Sequence, residues 1–125
     1  MSELTRDQLL SAVIAGRGPA YLRGVDVSSL DLSGVGWLVE ADLRSADLSH
    51  GNLSRAVLKN ARLEGANLQA CNLVGANLEG ADLRRARLNA ANLRMANLAG
   101  ADLQHARLVG SNLCAVNLTG ANLEG

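Results

Sequence analysis

The chain has 125 residues, with 12 Lys and Arg against 12 Asp and Glu, 48% hydrophobic and 2% aromatic content, one proline and no phenylalanine. That length suits one domain. Balanced charge and scarce aromatics argue against the strong basic stripe and the stacking platform that nucleic-acid binding needs, and equally against the negative field of a duplex mimic.

The first element is a short helix. Thr5 is placed as N-cap, Gln8 completes a capping box, and Leu4 is placed to staple onto Leu9. The helix is expected over about 6–15. Leu9, Leu10, Val13 and Ile14 give it an apolar stripe, and Gly16 with Pro19 supplies the stop. Glu3 and Asp7 interrupt the start and the apolar run 9–14 is too short for a secretion signal or a span, so a cytoplasmic protein without membrane contact is expected. Residues 1–19 are read as capping helix and linker, covering the first turn of a stack that begins at residue 20.

Residues 20–34 hold three looser five-residue units: Ala20-Tyr21-Leu22-Arg23-Gly24, Val25-Asp26-Val27-Ser28-Ser29 and Leu30-Asp31-Leu32-Ser33-Gly34. Leu32 and Leu38 are then six apart, so residues 35–40 carry one extra residue, most simply a bulge at a corner. The sole tryptophan, Trp37, sits there and is read as an apolar plug near the end of a stack.

From 41 to 125 run seventeen regular units with leucine at every centre. Five residues of helix turn through roughly 500°, which would spiral the leucines around every face, and a flat strand would alternate them between faces. A chain that changes direction once per unit returns each leucine to the interior, which describes a solenoid. Alanine fills the slot two before leucine in thirteen units, Gly51, Cys71, Ser111 and Val116 excepted. Asn or Asp fills the slot before leucine in thirteen, Val57, Arg62, Arg87 and Arg107 excepted; a short polar side chain there bonds local backbone. Glycine closes seven units, which suits turns with positive φ.

Ala41-Asp42-Leu43, Ala66-Asn67-Leu68, Ala76-Asn77-Leu78 and Ala121-Asn122-Leu123 resemble the pentapeptide-repeat protein family over about 20–125. The resemblance implies an all-β solenoid, a right-handed β-helix of square cross-section with four units per coil. With the N-terminal helix it completes the fold expected here. The last unit is perfect and followed by nothing, so an open coil is expected to present Leu118 and Leu123; either two copies pair there as a homodimer, or the chain continues in a longer protein.

Four units per coil make every fourth unit a neighbour. One side stacks Arg44, Glu64, Arg84, Gln104 and Glu124 beside Asp42, Arg62, Asp82, Asp102 and Asn122, a solvated face of alternating charge. A second side sets Arg87 beneath Arg107 near Arg84 and Arg85, a small basic concentration. A third stacks Asn52, Asn72, Asn92 and Asn112, and Val74, Met95 and Cys114 make it the least hydrated; Val74, Asn92, Met95, Asn112 and Cys114 are its candidate partner face.

No nucleophile elbow, phosphate loop or dinucleotide fingerprint occurs, and His50 and His105 lack ligand neighbours at metal spacing. No catalytic residue, metal or cofactor is expected. Cys71 is expected to point inward and Cys114 outward, so they do not pair. The expected function is a rigid, non-catalytic protein-interaction or scaffolding module. The alternative that the family implies is a DNA gyrase inhibitor or protector mimicking DNA; a net charge of +2 from residue 41 onward, nine Lys and Arg against seven Asp and Glu, disfavours it. A third reading, an enzyme with a site at the junction of helix and solenoid, rests on Tyr21 and Trp37 alone.

Overall fold

A computed structural model of the chain describes residues 19–125. The expected helix over 6–15 lies outside the described residues. Within them the backbone makes four parallel ladders. The first joins Tyr21, Asp42, Arg62, Asp82, Asp102 and Asn122; the second Asp26, Asp47, Asn67, Arg87 and Arg107. The third joins Asp31, Asn52, Asn72, Asn92 and Asn112; the fourth Val57, Asn77, Asn97 and Asn117. Pairing at a register of twenty residues gives four units per coil and a quadrilateral β-helix. No side grows into an extended strand among the described residues, because a turn takes two residues of every five; each side is a stack of single-residue bridges.

The unit centred on Leu83 shows how the repeat places its amides. Leu83 N–H donates to the Asp102 carbonyl at 2.7 Å and Arg85 N–H to Gln104 at 2.9 Å, both one coil up. Asp82 N–H donates to Ala61 at 2.9 Å one coil down, and Ala86 N–H closes the turn on Leu83 at 3.0 Å. Only the Arg84 amide is left, and it donates to Asp82 Oδ1 at 3.2 Å. Buried backbone must be satisfied somewhere, and this side chain completes the set. Every Asn and Asp in the ladders does the same for the amide two residues on. The asparagine row of the third side therefore serves its own backbone.

Each corner places its second central residue at positive φ, from Glu40 through Gly125 at every fifth position. That is the demand of a type II turn. Glycine meets it freely at Gly65 and Gly100, while Ala70, Arg85 and Met95 adopt φ of 56°, 58° and 61° because the ladders on both sides over-determine the corner.

Inside, the leucines from Leu32 to Leu103 and their alanine partners are 0–3% exposed and form one core. Cys71 replaces an alanine here; its thiol donates to the Leu48 carbonyl at 2.7 Å, and burial pushes it up to about 12. Cys114 is exposed and free.

The register changes once. Tyr21, Asp26 and Asp31 pair with residues twenty-one ahead, later bridges with residues twenty ahead. Val35 is buried and its carbonyl accepts from Val57 N–H at 2.8 Å, in the slot alanine fills elsewhere, and Leu38 is a fully buried centre. Gly36 and Trp37 together stand where other units have one residue, and Trp37 packs half-buried against the core.

Candidate interaction surfaces

The first side is an ion-pair network. Arg44 clasps Asp42, Nε to Oδ1 at 2.9 Å and Nη2 to Oδ2 at 2.8 Å. Arg84 does likewise with Asp82, at 2.8 and 2.7 Å, and also reaches Glu64 at 3.2 Å and Asp102 at 4.0 Å. A fork of this shape fits a carboxylate two residues away because the turn points both side chains outward. Donation from Arg44 holds the buried Asp42 carboxyl at about 2, against desolvation that acts the other way. Donation from Arg84 likewise depresses Asp82.

On the second side, Arg84 turns away into that network, and the basic group gains a member that sequence reasoning set aside. Arg85, Arg87, Arg107 and His105 line one open depression of about 600 Å³. His105 stands one coil above Arg85, a placement readable from their separation of twenty residues.

The third side gathers its candidates less closely than expected. Val74 and Cys114 share a column with exposed Arg94 between them, while Met95, 59% exposed, lies on the adjoining corner column between Gly75 and Ala115. Asn92 and Asn112 are bridged, and their Oδ1 atoms accept from the Arg94 and Cys114 amides. The apolar strip is thus interrupted by a guanidinium. Below it, Ser33, Ser54, Arg55, Asn72 and Val74 line a polar depression of about 500 Å³.

Among the described residues, three of the five exposed large hydrophobic side chains, Val109, Leu113 and Leu123, lie on the last coil, residues 106–125. Leu113 is 37% and Leu123 53% exposed, and Leu108 and Leu118 are half-buried. With Leu98 and Leu103 as floor they enclose an apolar depression of about 260 Å³. Leu118 and Leu123 belong to it as expected; Leu108 and Leu113 complete it, as the remaining centres of the same four-unit coil. The amides of these four leucines have no backbone acceptor among the described residues, whereas each leucine beneath donates upward at 2.7–2.8 Å, Leu88 and Leu103 included. Among the described residues no three His, Cys, Asp or Glu side chains are grouped to hold a metal ion, and no helix is long and apolar enough to cross a membrane.

Comparison with known proteins agrees with this geometry. A sequence profile described as pentapeptide repeats (8 copies) matches residues 38–73, 61–97 and 96–125. The crystal structure of the pentapeptide repeat protein Rfr23 from the cyanobacterium Cyanothece 51142 is similar at 36% identity and a TM-score of 0.69, over 78% of this chain and 63% of that one. This chain therefore spans less than two thirds of that relative's length. A pentapeptide repeat protein from the Arabidopsis thaliana thylakoid lumen is similar at 35% identity and a TM-score of 0.53, over 86% and 73% of the two chains. No curated protein matches the chain.

Proposed function

Because the chain belongs to the pentapeptide-repeat family, we propose that it works as a rigid, non-catalytic interaction or scaffolding module in which coil 106–125 meets a further coil, that of a second copy or of a longer chain, the second copy being the contact tested below. One observation carries the reading: the last coil combines four solvent-reaching leucines with a row of unpaired amides. A surface that is apolar at its centre and has free main-chain donors at its rim suits stacking on another coil. The sides of the rod offer shallow polar depressions and ion pairs worth little individually, so they favour recognition over chemistry. The third side, with Val74, Met95 and Cys114 around Arg94, is the second contact surface in this reading.

The test is mass in solution by light scattering. The native chain is expected as a dimer and Leu123→Glu as a monomer, because the substitution puts a carboxylate into an apolar contact. A native monomer, or a Leu123→Glu dimer, would overturn the end-to-end contact. A supercoiling assay runs beside it: gyrase inhibition or protection at micromolar protein would replace the module reading with that of a topoisomerase effector.

A further inference from the structure

We propose that Arg85, Arg87, Arg107 and His105 form a binding site for a phosphate-type oxyanion, taken from solution as free phosphate or as the phosphate group of a small phosphorylated compound.

The first argument is a conflict between these residues and the fold. At the ladder position before leucine, every Asn or Asp satisfies the amide two residues on; Arg87 and Arg107 occupy that position and supply no acceptor. The Asn89 and Val109 amides accordingly find no acceptor of this kind, and Asn89 Oδ1 is itself a buried oxygen without a partner. Arg87 and Arg107 are moreover bridged to each other, so two guanidiniums rise from adjacent strands about 4.8 Å apart. Like charges placed directly opposite are destabilising. Places where a sequence breaks the rule that its own fold follows are the expected seats of function.

The second argument is that, among the described residues, Arg87 and Arg107 have no ion-pair partner. Arg62 also departs from the rule, but it is bridged to Asp42 and Asp82, so the first ladder alternates in sign. The like-charged Asp82 and Asp102 are both approached by Arg84. At the second side, Arg87 Nη2 reaches only the neutral Gln69 Oε1, at 3.3 Å. Arg107 makes no ion pair among the described residues. Arg85 has Glu64 at 4.0 Å, and that carboxylate already pairs with Arg84 at 3.2 Å. No carboxylate lines the depression.

Chemistry then selects the occupant. Guanidinium forks match the paired oxygens of a tetrahedral oxyanion, and several together favour a dianion over a carboxylate. The depression is open to solvent, so an organic body attached to the phosphate meets no wall among its lining residues. A long polyanion fits poorly, since down the same ladder the arginines give way to Asn67, Asp47 and Asp26.

The variant Arg87→Asn/Arg107→Asn suits the test because asparagine restores the local acceptor, so it is expected to fold and to melt no lower than the native chain. Inorganic phosphate, phenyl phosphate and acetate are titrated separately into the native chain, this variant and a charge-matched control, Arg23→Gln/Lys59→Gln, by calorimetry and by the shift in Tm. We expect phosphate and phenyl phosphate to bind the native chain and the control alike, and the Asn variant at least about tenfold more weakly. Tighter binding of phenyl phosphate assigns the site to an organic phosphate, and equal or weaker binding to free phosphate; either supports it. Acetate binding as well as phosphate, equal affinity in native and Asn variant, or no binding to the native chain would overturn the proposal. So would a duplex oligonucleotide that outcompetes phenyl phosphate through the same arginines.

Discussion

At Asp42 a single carboxylate serves three donors of one residue, the Arg44 amide at 3.2 Å and its guanidinium at 2.9 and 2.8 Å. The ordinary value for its carboxyl is 3.8, and in the fold it lies at about 2. A depressed carboxylate adds stability above its unfolded value and withdraws it as pH falls toward its folded one. The melting temperature is therefore expected to hold from neutral pH to about 4 and to fall between about 4 and about 2, with Asp82 and Asp26, also depressed, adding to the slope. Asp42→Asn keeps an oxygen for the Arg44 amide but cannot titrate, so its melting temperature should fall less over that interval. Thermal melts of both proteins across the window check this; parallel curves would remove Asp42 from the acid response.

The element of this fold is the five-residue unit, and its least replaceable polar part is the oxygen before leucine. Asn72→Ala leaves the Val74 amide without the acceptor it has at 3.1 Å and is expected to cost about 1 kcal/mol. Arg107→Ala removes no such bond and should stay within about 0.5 kcal/mol of the native chain. Urea unfolding of the two variants side by side distinguishes them; equal costs would mean that the side-chain oxygen does not hold the turn. Much of the unit was legible in the sequence, because leucine, alanine and Asn or Asp each have one physical reason for their slot. The slip near Trp37 was legible too, from a spacing of six between Leu32 and Leu38. The direction of long side chains was not. Arg84 and Arg85 are consecutive, yet one folds back onto Asp82 while the other keeps only Glu64 at 4.0 Å and lines the depression beside Arg87, a choice made by carboxylates two and about twenty residues away. For the same reason Val74, Met95 and Cys114 read as one strip until Arg94 is placed between them.

As a whole molecule the rod is a one-dimensional stack, each coil contacting only the coils above and below. Position along the axis then decides what a substitution does. Leu83 is fully buried between neighbouring coils, whereas Leu123 is 53% exposed on the last one. Leu83→Lys places an unpaired charge in the core and is expected to unfold the domain at room temperature. Leu123→Glu should retain the native melting temperature within a few degrees of the monomeric limit while losing self-association. Circular dichroism melts decide this, and a folded Leu83→Lys protein would contradict the interior assignment.

The extra residue at Gly36 and Trp37 bears on how such a chain tolerates change in length. A one-residue insertion in a five-residue period would, uncorrected, move every leucine on one side of it into the wrong slot. Here the mismatch is confined to a single side of a single coil: Val35 and Leu38 keep their interior places, the three ladders that cross the slip shift together from twenty to twenty-one, and the fourth ladder begins above it at Val57. The stack behaves as a counter that can miscount once and resume. An extra residue should therefore be accepted between the alanine and leucine slots wherever, as at Gly36 and Trp37, it can bow out of the wall while the slots on either side stay interior.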